Sequence, residues 1–220
     1  MIRLAEAALA FARDRYPRLD AARYLGRLDD LAERIERLGA STPEDRADAL
    51  RAVLCREERL SGNREDYYDP RNSYLNEVLD RRTGIPISLS AVWLDVAARL
   101  DWPFVGVGLP GHFVIAQLSP EGPSWIDPFG GGRPLDRDAC GSLVEAALGP
   151  GTALAEVHLS PVGARAILTR MLDNLRSIYV QAGQWTQAAF VLSRLRALLP
   201  EEAAVRQDLA AVLQRVARLN

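Results

Sequence analysis

The chain contains no lysine. All 27 of its basic residues are arginine, which excludes a Schiff-base lysine and a phosphate-loop lysine and leaves no side-chain primary amine to serve as an acyl acceptor. Cysteine is nearly as scarce: Cys55 and Cys140 are too few for a disulfide framework and point to a reducing compartment. The two histidines, His112 and His158, stand at no metal-ligand spacing with them, so neither a metal nor a cofactor is expected. No apolar run approaches the roughly eighteen residues of a membrane span. The first thirteen residues carry an acidic Glu6 and lack the apolar core of a signal peptide. A net charge of −2 gives no basic field for nucleic acid. The expectation is a cytoplasmic protein with neither a membrane nor a nucleic-acid partner and an oligomeric state that composition does not define.

What is present is enough apolar surface for a full core: 48% of 220 residues. Residues 2–60 read as helices, with Leu25, Leu28, Leu31, Ile35 and Leu38 at helical spacing. Gly39 stops one helix, and Thr42-Pro43-Glu44-Asp45 caps and opens the next. Residues 61–70 are a polar loop carrying Tyr67 and Tyr68. A short helix is expected from Asp69-Pro70 to Leu79, and a helix apolar on nearly every face over 88–100, which must lie in the middle of a domain. Segments 104–109, 113–118 and 124–127 read as a small antiparallel meander, with no strand drawn from before residue 100. From residue 161 the pattern is helical again through Leu219. There Tyr179, Gly183, Ala188, Leu192, Leu195 and Pro200 stand at the offsets of one tetratricopeptide-like helical pair. One pair cannot bury its own apolar face, so it should dock on what precedes it. The fold class is therefore α+β, mostly helical, divided as 1–160 and 161–220.

Chemistry concentrates in three steps. Gly84-Ile85-Pro86-Ile87-Ser88-Leu89-Ser90 opens the apolar helix, Pro110-Gly111-His112-Phe113 enters a strand, and Trp125-Ile126-Asp127-Pro128 ends the next. Neighbouring antiparallel strands would set His112 beside Asp127, where a carboxylate fixes the tautomer of a histidine general base. Ser88 has two readings: a nucleophile, or a serine that caps its own helix. A helix start ionises a thiol readily, but an alcohol begins from a far higher pKa and needs concerted proton removal and an oxyanion site. Ser90 is the alternative hydroxyl at that turn. His158 has no acidic partner nearby and reads as structural, and the glycines at 130–132 lack the Lys-Ser/Thr of a phosphate loop.

The stretch Tyr67 to Leu79 (YYDPRNSYLNEVL), then Gly84 to Ser90, Gly106 to Phe113 and Trp125 to Gly131, resembles the SirB-one branch of the transglutaminase-like superfamily over about residues 4 to 210. That resemblance implies a papain-like arrangement, with a nucleophile helix packed on a small antiparallel sheet that supplies His112 and Asp127. Ser88 or an immediate neighbour matches the position of the catalytic cysteine. It also implies tetratricopeptide-like C-terminal helices. Asn72, Asn76 and Tyr74, on the helix before Gly84, are the polar candidates to face the same cleft. The expected function is a non-catalytic binding or regulatory module for a protein or peptide. The alternative is a serine hydrolase or acyltransferase using Ser88, His112 and Asp127.

Overall fold

The computed structural model describes residues 3–218; Met1, Ile2, Leu219 and Asn220, including the expected end of the last helix, lie outside them. The N-terminal third is a helical layer: α1 (Leu4–Ala12), α2 (Ala21–Glu36) and α3 (Pro43–Arg51), the last continued by a π turn over Ala52–Glu57. The reading of 42–45 holds in detail. Thr42 accepts from the Asp45 amide, the Asp45 carboxylate returns to the Thr42 amide, and Pro43 occupies the first turn.

The expected helix over 69–79 is broken. Pro70–Ser73 form a 3-10 turn, Tyr74 is extended, and α4 runs from Leu75 to Arg81. The chain then passes through β2 (Thr83–Gly84), paired in parallel with β1 (Ser61–Gly62). This two-residue parallel ladder lies before residue 100, where no strand was expected, and it is separate from the main sheet. It ties the polar loop to the start of α5 (Pro86–Arg99), whose Leu89, Val92, Trp93 and Val96 are fully buried.

The main sheet is antiparallel, with β3 (Phe104–Val107), β4 (Val114–Gln117) and β5 (Ser124–Asp127) forming the meander. It is wider than expected: β6 (Arg133–Leu135) pairs with β5, and β7 (Pro161–Val162) pairs with β3. Alternate residues face opposite layers. Ile115 and Ile126 join the large core around α5, while Val114 and Ala116 meet Cys140 and Val144 of α6 (Arg137–Leu148), a helix with sparse apolar spacing that sequence reasoning did not anticipate.

After β7 come α7 (Ala164–Gln181), α8 (Trp185–Leu198) and α9 (Ala203–Ala217). Ile167, Leu168, Met171, Leu172 and Leu175 of α7 belong to the same core cluster as Leu9 of α1 and Trp93 of α5. A division at 160/161 would cut through the sheet, because β7 is its edge strand.

Candidate functional site

The start of α5 is built differently from the expected serine cap. Ile85 is the N-cap, Pro86 takes the first helical position, and Ser88 stands at the third. From there its Oγ reaches back to accept the Ile85 amide at 3.1 Å, the service that a third-position side chain gives in a capping box. The hydroxyl proton goes to the Asn72 carbonyl at 2.6 Å. Ser88 is fully buried, and both of its hydrogen-bonding directions are spent on backbone. Gly84 is required beside it, since a Cβ there would stand 2.6 Å from the Ser88 oxygen.

His112 and Asp127 do meet. Nε2 of His112 lies 2.9 Å from Oδ1 of Asp127, with the histidine side chain 13% and the carboxylate 3% exposed. Burial alone would push the Asp127 carboxyl up. The His112 bond and charge, the Gly130 amide and the Arg133 guanidinium outweigh it and hold the group below the usual carboxylate range. An ionised Asp127 only accepts, so Nε2 of His112 donates in this bond. The close turn needs Gly130, where a Cβ would sit 2.6 Å from Oδ2 of Asp127. Among the described residues no hydrogen bond joins Ser88 to His112 or Asp127.

Asn72 serves the site indirectly. It is fully buried, and its side-chain amide donates to the carbonyls of Asp66 at 2.7 Å and Tyr67 at 3.2 Å, while its Oδ1 accepts from Asn63 and Arg81. It thereby shapes the polar loop so that Tyr67 meets Phe129 edge to face, with ring centres 6.1 Å apart. Phe129 in turn meets the His112 ring at 5.9 Å, and the Arg64 guanidinium covers Phe129 at 4.9 Å. An aromatic path thus runs from His112 to Tyr68, which is 72% exposed and packs on Tyr67.

Arg170 is the residue that sequence reasoning missed. From α7 its Nη2 donates to the carbonyls of Leu109 at 3.0 Å and His112 at 2.8 Å, fixing the turn that presents the histidine. Burial lowers its pKa from the arginine value. Its signal was unreadable because its partners are backbone atoms about sixty residues earlier.

The other candidates fall elsewhere. Ser90 is fully buried, and its hydroxyl has no hydrogen-bond partner among the described residues. Asn76 is 4% exposed and lines a cavity of about 580 Å³ with Tyr16, Glu77 and Asp80 that shares no residue with His112. Tyr74 is buried, bonds the Tyr179 hydroxyl at 2.9 Å, and has its pKa pushed well up, first by burial. His158 accepts the Ala155 amide at 3.2 Å. Burial pushes Cys55 and Cys140 each to about 11, so neither is a poised thiolate. Among the described residues no three His, Cys, Asp or Glu side chains are grouped to hold a metal, and no helix is long and apolar enough to cross a membrane.

Comparison with known proteins bears on this architecture. The family model described as the transglutaminase-like superfamily matches residues 22–173, from α2 into α7. A UPF0162 protein of Xylella fastidiosa is 40% identical over 93% of this chain and 75% of its own length. Protein SirB1 of Salmonella typhimurium is 31% identical over 59% of the chain and 48% of its own length. The human F-box only protein 21 is 35% identical over 62% of the chain but only 22% of its own. No solved structure matches. An apolar helix on an antiparallel sheet, a histidine–aspartate pair at adjacent strands and a family match spanning both lead to one assignment: the chain belongs to the SirB-like branch of the transglutaminase-like superfamily.

Proposed function

We propose that this protein is a non-catalytic member of its superfamily, a cytoplasmic module that holds an extended segment of a protein or peptide partner against the His112–Asp127 pair. The observation that carries this reading is the state of Ser88: no thiol stands at the helix start, and the hydroxyl that replaces it is buried and bonded to the Ile85 amide and the Asn72 carbonyl. An alcohol so placed has neither a base to take its proton nor room to attack. The exposed face of Tyr68 and the Tyr67–Phe129–His112 path offer aromatic contact area of the kind that peptide recognition uses. The C-terminal helices, read as a tetratricopeptide-like pair, serve here to brace the His112 turn through Arg170.

The intact histidine–aspartate pair is the one feature that favours the catalytic alternative, a hydrolase or acyltransferase running through Ser88. An arrayed peptide library probed with the wild-type protein and with His112→Ala and Phe129→Ala separates the two. The binding reading predicts a subset of peptides retained by the wild type, lost with either variant, and recovered chemically unchanged by mass spectrometry. Cleaved or deamidated peptides, or an acyl adduct on Ser88, would overturn it.

A further inference from the structure

Arg64 presents an exposed guanidinium beside the His112–Asp127 pair from an anchored stretch of backbone. Its neighbour Asn63 donates its amide to the Gly84 carbonyl at 2.9 Å and its side chain to Asn72 at 3.1 Å. Gly62 lies so close to Phe129 that a Cβ there would stand 2.6 Å from the ring. The loop is thereby pressed onto Phe129, and the Arg64 guanidinium lies over that ring, 4.9 Å from its centre. A guanidinium over an aromatic face can still offer N–H groups to a carboxylate. The ring also limits the freedom that Arg64 must give up on binding. Around the same ring stand His112 at 5.9 Å and Tyr67 at 6.1 Å, with Tyr68 packed on Tyr67. Each of these side chains reaches solvent: Arg64 and both tyrosines are exposed, and the His112 side chain is 13% exposed.

The cations here outnumber the carboxylates that answer them. Asp127 serves both His112 at 2.9 Å and Arg133 at 3.4 Å. Asp69 is taken by Arg71 at 2.7 Å and Arg81 at 3.3 Å. Among the described residues no carboxylate stands within ion-pair distance of Arg64, not even Glu65 or Asp66 of its own loop, and none pairs with the partly buried Arg170 behind the His112 turn. Arginine and tyrosine together make the kind of surface on which partners are anchored, and an unanswered cation selects the sign of the partner's charge. Resting on the binding reading above, we propose that the segment held at this face carries an aspartate or glutamate whose carboxylate pairs with Arg64 while a flanking side chain lies on Tyr67 and Tyr68. An extended segment crosses the face instead of ending there, so the carboxylate belongs to a side chain. A phosphate fits less well, because Glu65 and Asp66 oppose a doubly charged group more than a singly charged one.

Arrays of short peptides, tethered through the C-terminus and with one position fixed in turn as Glu, Gln, Lys or phosphoserine, test this on the full chain. A parallel set carries free C-termini. The wild type should retain Glu peptides over their Gln counterparts by about fivefold, the strength of an exposed ion pair. Arg64→Gln should erase that ratio, and Arg64→Glu should turn the preference toward Lys, a reversal that a merely structural Arg64 would not produce. Arg196→Glu on α8 changes the net charge equally and should leave the Glu preference in place. Retention without a Glu preference, a Glu preference that survives Arg64→Glu, strongest retention of phosphoserine, or selection of free C-termini alone would overturn this inference while the binding reading stands. Retention of no peptide at all would overturn both.

Discussion

At the scale of single residues, the Ser88 hydroxyl is bonded to two backbone partners. Ser88→Ala leaves the Ile85 amide and the Asn72 carbonyl unpaired in the interior, at a cost of about 1–3 kcal/mol. For a chain of this size that is a fall of a few degrees in Tm. Thermal unfolding of the variant should show this loss; an unchanged Tm would mean the two bonds are not formed. Asp127 makes a pH-dependent prediction. Its folded pKa lies below the ordinary carboxylate value, so its contribution is present above the unfolded pKa of about 3.9 and fades as pH falls through the folded value. Asp127→Asn lacks that contribution. The stability gap between wild type and variant in urea titrations should be widest near neutrality and narrow below about pH 4; a gap constant with pH would refute the account. His112 and Asp127 were readable as a pair because adjacent antiparallel strands bring side chains fifteen residues apart together. The placement of the Ser88 hydroxyl was not legible, because the Asn72 carbonyl that it meets lies sixteen residues away across an unforeseen break in the expected helix.

At the scale of elements, legibility followed the strength of periodic signal. The meander and the apolar α5 were plain, because alternation and a helix apolar all round each admit one placement. The strands β6 and β7, two or three residues long, carry too little pattern to be seen, and α6 buries only Cys140 and Val144. The break at Tyr74 has a physical cause in tertiary contact: its hydroxyl pairs with Tyr179 of α7, and its ring meets Tyr16 edge to face. This pair gives a test of docking between elements. Tyr74→Phe and Tyr179→Phe should each destabilise by about 1 kcal/mol, and the double variant by clearly less than the two together. Strict additivity in a double-mutant cycle would show that the two hydroxyls do not interact. Arg170 links α7 to the His112 turn through two carbonyls. Arg170→Met should therefore broaden or split the His112 ring resonances while helix content by circular dichroism stays unchanged. Sharp, unshifted His112 signals would remove Arg170 as a positioning residue.

At the scale of the whole molecule, one core runs from α1 through α5 into the C-terminal helices. Ile167, Leu168, Met171, Leu172 and Leu175 are each worth about 1.5–3 kcal/mol when buried, which together rivals the 5–15 kcal/mol net stability typical of a domain. A fragment ending at residue 160 should therefore lack a cooperative melt and be degraded rapidly by trypsin; a stable, cooperatively melting fragment would contradict a shared core. The same continuity seals the helix start, and that is where the account is most directly exposed. It holds that the molecule keeps the frame of its superfamily while residue 88 is a buried brace with no nucleophilic role. The decisive measurement is the native-state alkylation rate of Ser88→Cys by iodoacetamide, followed residue by residue by peptide mass spectrometry so that Cys55 and Cys140 are read separately. The account predicts that the thiol at position 88 reacts no faster than the buried Cys140 until urea unfolds the chain, with or without His112→Ala. Rapid alkylation at neutral pH, with an apparent pKa below the ordinary thiol value of about 8.5 and slowed by His112→Ala, would show a working nucleophile position and contradict it.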